Sequence, residues 1–151
     1  MPVYFIAFVS HIALLYFSVK IPNKRVSFLL AVIAVLPLCL VAGLRDASVG
    51  TDTSAYPLRC FYASQYYSLT GAMGACSDQE PLFVILFWIL GRLTGDFHAV
   101  LFLCEAIVLL PYILVVRKLY PRGYPVVGFF LCFVVFGYTL NIIRQCLATS
   151  M

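Results

Sequence analysis

Uncharged apolar runs alternate with short polar breaks along this chain, and most of the runs have the length of membrane helices. A span needs about 20 apolar residues at about 1.5 Å of rise each. Residues 2–19 form a first uncharged run, closed by "KIPNKR" (20–25), a short basic loop with Pro22 and Asn23 as breakers. Residues 26–44 form a second, in which Pro37 predicts a kink of the kind a membrane bundle tolerates. A polar stretch, 45–80, follows. Residues 81–94 are a third, shorter run with Arg92 near its end, placed to snorkel. Asp96 marks a turn, and 98–116 is a fourth run with Glu105 near its middle. After the basic loop "RKLYPRGYP" (117–125), a fifth run begins at Val126 and extends to about residue 143. The pattern predicts one all-α domain over 1–151, a polytopic transmembrane bundle with a long polar loop at 45–80. The first run has no basic leader and no small-residue cleavage pattern after it, so it is expected to stay as a helix. The chain stops at Met151 inside an apolar pattern, which reads as a piece of a longer protein.

Composition settles the solvent. Hydrophobic residues make up 64%, charged residues 11%, and mean hydropathy is +1.02. Soluble domains are about 45–50% apolar and about 25% charged, and a chain this short has too little interior to hide the excess. Most of the ten basic residues flank apolar runs, where headgroups call for them, so the net charge of +4 points to no nucleic acid. Six cysteines show no CxxC or Cys/His ligand spacing, and neither a metal nor a cofactor is expected. Four of them lie in apolar runs, where Cys behaves as a small hydrophobe. Cys60 and Cys76 share the polar loop, where an oxidising compartment would allow a disulfide.

Loop 20–25 carries three basic residues and no acid, so the positive-inside rule makes it cytoplasmic and 45–80 extracytoplasmic. Four simple crossings would then put loop 117–125 outside, although it carries Arg117, Lys118 and Arg122. Either one middle run fails to span or the rule is overridden there.

Two polar clusters stand out. In "GLRDASVGTDT" (43–53), Arg45 offers a planar fork of donors suited to phosphate oxygens. Gly50 permits a turn with positive φ, and Asp52 with Thr51 and Thr53 is expected to cap a following helix. In "NIIRQ" (141–145), Asn141, Arg144 and Gln145 share one helical turn after a strongly apolar run, a costly place for a charge. Each cluster also has a plainer reading, as a capped junction and as a snorkelling arginine. Between them, 56–69 is dense in aromatics. Tyr62 and Tyr66, spaced i, i+4, with Phe61 beside them, fit an interfacial helix, whose rings either anchor in headgroups or stack on sugars. Glu105 either lines a cavity, pairs with an arginine, or stays protonated because burial disfavours its charged form. His11 is expected to be a hydrogen-bonded interior residue, His98 to lie at an interface, and Trp88 to face lipid or the bundle.

The combination resembles a known family. Arg45, then Val49-Gly50-Thr51-Asp52-Thr53 and Tyr56, then Glu80-Pro81-x-Phe83, then Asn141-x-x-Arg144-Gln145-x-x-Ala148 look like the EpsG family of exopolysaccharide assembly, related to Wzy-type polymerases. The motifs span 45–148 and match the N-terminal portion of a family member. The resemblance implies a multi-pass protein of the bacterial cytoplasmic membrane and a glycosyltransferase-like polymerase of oligosaccharide repeats carried on undecaprenyl diphosphate. Arg45 and Arg144 would then neutralise the diphosphate, Asp52 or Glu80 would serve as base, and Gly50, Thr51, Thr53, Tyr56, Asn141 and Gln145 would support the substrate. Expected partners are the lipid-linked oligosaccharide, membrane lipids and other exopolysaccharide assembly proteins. A flippase for the same lipid-linked units, or a scaffold for other synthases, would use similar residues.

Overall fold

The computed structural model describes residues 2–50, 53–140, 146 and 147, and these are all-helical, without a strand. Eight helices are traced among them: α1 (Pro2–Lys20), α2 (Lys24–Ile33), α3 (Leu36–Gly43), α4 (Pro57–Tyr66), α5 (Leu69–Ala75), α6 (Pro81–Thr94), α7 (Phe97–Leu119) and α8 (Tyr124–Thr139). Among the described residues, three segments are long and apolar enough to cross a membrane: α1, the α2–α3 pair taken as Lys24–Gly43, and α7.

Pro37 breaks the second run into α2 and α3 rather than bending it. Proline donates no hydrogen bond, and the amides of Leu38 and Cys39 both turn to the Val35 carbonyl at 3.1 Å. The Ala34 carbonyl is thereby released, and Nδ1 of His11 donates to it at 2.6 Å. His11 is fully buried, the hydrogen-bonded interior residue its position suggested.

Capping moves the helix ends away from the limits of the apolar runs. The Asn23 side chain accepts from the amides of Arg25 (3.0 Å) and Val26 (3.4 Å), so α2 starts ahead of Val26. Gly95, at φ 64°, ends α6 in the left-handed region, and Asp96 caps α7 by accepting from the Ala99 amide at 2.9 Å. That two-residue turn makes α6 and α7 a helical hairpin. At its far end α7 continues through Arg117 and Lys118, cations well placed at a helix C-terminus.

Long-range bonds fix which ends meet. Nδ1 of His98 donates to the Gly43 carbonyl at 2.7 Å, setting the start of α7 beside the end of α3. Nη2 of Arg117 donates to Ser27 Oγ at 3.1 Å, setting the end of α7 beside the start of α2. Ser18, at the end of α1, bonds Tyr124, at the start of α8. The two basic loops therefore lie at one end of the bundle. The charge conflict disappears, because residues 44–96 begin and end at the opposite end. Helix α6, with 14 residues, is about 21 Å long, short of the roughly 30 Å hydrocarbon core.

Helix α7 separates two cores. Phe83 and Phe87 of α6 and Cys60 and Phe61 of α4 pack with its Val100, Leu101 and Cys104. Leu15 of α1, Leu38 of α3 and Phe136 of α8 pack with its Leu109 and Ile113.

The 45–80 stretch contains two helices, α4 and α5. Among the described residues no side-chain bond caps α4, whose N-cap is Tyr56 with Pro57 next. Thr53 contributes its backbone carbonyl, which accepts from Leu58 N at 3.1 Å. Thr51 and Asp52, expected to share in the cap, lie outside the described residues. A proline at the first helical position needs no partner for the amide it lacks. Phe61 is no anchor ring. It is buried, 5.5 Å from the Phe97 ring, while Tyr62 and Tyr66 are exposed on the other face of α4.

Candidate functional site

Arg45 leaves α3 one residue beyond its C-cap and is only 5% exposed. Its Nη1 donates to the Thr139 carbonyl at 3.4 Å, across 94 residues of chain. Thr139 ends α8 and is fully buried, and its hydroxyl lies 2.9 Å from Glu105 Oε1 and 2.8 Å from the Phe136 carbonyl. Glu105 comes from the middle of α7 and is 1% exposed. Three separated parts of the chain thus meet at one buried polar point. Nε of Arg45 and Oε2 of Glu105 have no hydrogen-bond partner among the described residues. Buried polar groups are nearly always satisfied, so this point holds donor and acceptor capacity in reserve. Burial pulls the Arg45 guanidinium below its ordinary pKa, against the opposing pull of Glu105.

The loop after Arg45 is shaped by short bonds. Asp46 Oδ1 accepts from the Ser48 amide at 2.8 Å, and the Asp46 carbonyl accepts from Val49 N at 2.9 Å. Bonds from Ser48 hold the exposed Asp46 carboxyl below its usual range. Gly50 then takes φ 93°, as its place in the motif suggested. A Cβ there would stand 1.9 Å from the Leu140 carbonyl oxygen. Only glycine fits, on grounds of both φ and space. The structure therefore packs the first polar cluster against Leu140, the residue just before Asn141. Thr51, Asp52, Asn141, Arg144 and Gln145 lie outside the described residues.

Thr53 is buried, with its amide 3.4 Å from the Gly50 carbonyl, and Tyr56 is half-buried. Glu80 is the exposed N-cap residue of α6. Thr139 is the member of the cluster that sequence reading did not reach. Its only signal was a lone hydroxyl closing an apolar run two residues before Asn141. Trp88 faces α4 through a 3.2 Å bond from Nε1 to the Tyr67 carbonyl, and Arg92 reaches the same carbonyl at 3.0 Å instead of simply snorkelling.

Beside Arg45 an apolar groove of about 440 Å³ runs between α1 and α3. Val3, Tyr4 and Ala7 line one wall, Pro37 and Leu40 the other, and Arg45 is among the remaining lining residues. A hydrocarbon chain suits such walls.

No curated protein and no solved structure is significantly similar to this chain. The model of the EpsG family matches residues 28–151, from α2 through all three polar motifs, and the chain belongs to that family.

Proposed function

We propose that the protein containing this chain polymerises lipid-diphosphate-linked oligosaccharide repeats into exopolysaccharide at the outer face of the bacterial cytoplasmic membrane. Membership of the EpsG family supports an exopolysaccharide-related polymerase role. The observation that carries the reading is the position of Arg45: a buried guanidinium in the lining of an apolar groove, tied to the end of α8 just before the second polar cluster. An isoprenoid diphosphate has that split character, with a hydrocarbon tail and an anionic head.

In this reading an acceptor sugar hydroxyl attacks the anomeric carbon of the donor, and the bond from that carbon to the diphosphate oxygen breaks. The hydroxyl proton passes to a carboxylate, Asp52 or Glu80. Lipid diphosphate leaves with its electron pair, and Arg45 and Arg144 stabilise the charge that develops there. Glu105 and Thr139 hold Arg45 in place. Gly50 sets the loop, and Thr51, Thr53, Tyr56, Asn141 and Gln145 support the substrate. The basic end of the bundle faces the cytoplasm.

Glycan length in cells expressing full-length Arg45→Ala or Arg144→Ala protein tests this reading. A polymerase leaves single repeats on lipid at the outer face and no long chains. A flippase traps those units on the cytoplasmic side. A scaffold tolerates Arg→Lys, which keeps charge but loses the planar fork.

A further inference from the structure

The thiols of Cys60 and Cys76 are in contact, with their sulfurs 3.2 Å apart. Both are buried, at 1% and 0% exposure. Cys39, Cys104 and Cys132 are instead dispersed in α3, α7 and α8. The backbone around the pair is held in register by a second cross-link, the ion pair between Arg59 and Asp78, next to Cys60 and near Cys76. Gln79 Nε2 braces Asp78 from the far side at 2.8 Å. The helices joined here are short, with 10 residues in α4 and 7 in α5. Isolated helices of such length are marginal in water, so α4 and α5 hold their shape through packing against α6 and α7 and through contacts between them.

We propose that Cys60 and Cys76 are joined as a disulfide in the mature protein, tying the first turn of α4 to the exit of α5. The inference rests on the assignment of residues 45–80 to the outer, oxidising side of the membrane. The oxidant is a disulfide-bearing carrier protein. One cysteine, as thiolate, attacks the carrier disulfide to give a mixed disulfide and frees one carrier thiol. The other cysteine then displaces the second carrier sulfur and closes the Cys60–Cys76 bond. Two protein thiols lose two electrons and two protons, and the carrier leaves as a dithiol. Since both sulfurs are buried once α4 and α5 have closed, the exchange belongs to the folding chain, and the product is a permanent staple. It closes four residues before Glu80 and so fixes the entry to α6.

The test uses full-length protein in membranes from cells quenched in acid, then alkylated under denaturing conditions with and without reductant, followed by peptide mass measurement. Without reductant, Cys60 and Cys76 are expected to stay unalkylated in a linked peptide pair and to react after reduction. In Cys60→Ser protein, Cys76 should react in both samples. Alkylation of both cysteines without reductant overturns the proposal. An epitope placed at 120–123 and probed on intact cells then locates the failure. If the epitope is shielded, the pairing alone is wrong; if antibody reaches it, the orientation is wrong and the pairing falls with it.

Discussion

Each end of the bundle holds an arginine against buried structure, and the two are held in opposite ways. At the end that gathers Lys20, Lys24, Arg25, Lys118 and Arg122, the guanidinium of Arg117 lies 5.4 Å from the Phe28 ring centre and 5.8 Å from that of Tyr124. Ser27 accepts its one side-chain bond, and the residue is half-exposed. No acid belongs to either loop at that end. Such an arginine is an anchor, with its charge spread over aromatic faces, although its Nη1, like Nε of Arg45, is buried without a partner among the described residues. At the other end Arg45 is nearly sealed, bonded to a backbone carbonyl, influenced by Glu105, and set in the lining of an apolar groove. Burying a charge is costly unless something compensates it. The presence of an acid near Arg45 and of none in the loops around Arg117 distinguishes the two positions more clearly than either arginine's place in the sequence.

The comparison can be broken at several points. The largest effect is expected from Gly50→Ala. Its Cβ would collide with the Leu140 carbonyl in a backbone conformation that alanine resists. The loop carrying Arg45 must shift, and small misplacements at reacting centres are costly. Polymer output per molecule should fall at least about tenfold, read as glycan yield normalised to membrane-inserted protein. Glu105→Gln is expected to have a middle-sized effect. It keeps a partner for Thr139 while removing the carboxyl that faces Arg45, and should lower stability in detergent by about 1 kcal/mol, read from thermal unfolding. The smallest is Ser27→Ala at the basic end, which removes one bond from a half-exposed arginine. A stability change of about 0.5 kcal/mol or less, with glycan length unaltered, is the expected result. A change in glycan length there would erase the distinction between the two ends.

The spans were legible because each is a long apolar run, uncharged in the first two and broken in α7 only by Glu105, and the break in the second was marked by Pro37. The return of α6 was harder to see. It is as apolar as a span, and only its 14-residue length and the charge conflict of loop 117–125 set it apart from the longer runs. Arg45 and Gly50 could be singled out by residue type, since a guanidinium after an apolar run and a glycine in a polar turn each carry a physical signature. Their partners could not. Glu105, Thr139 and Leu140 lie 60, 94 and 90 residues away from Arg45, Arg45 and Gly50 respectively, and no helical periodicity links positions on different helices. Thr53 does not cap α4 with its side chain, since Pro57 at the first helical position lacks an amide that a cap would serve.

The most direct measurement is the affinity of the full-length protein for a short prenyl diphosphate, compared among wild type, Arg45→Ala and Arg117→Ala. A charge-assisted contact to phosphate is worth about 1.5–3 kcal/mol. The Arg45 variant should therefore bind at least about tenfold more weakly, while the Arg117 variant binds as wild type does. Equal affinities in all three proteins would contradict the assignment of Arg45 as the group that meets the diphosphate.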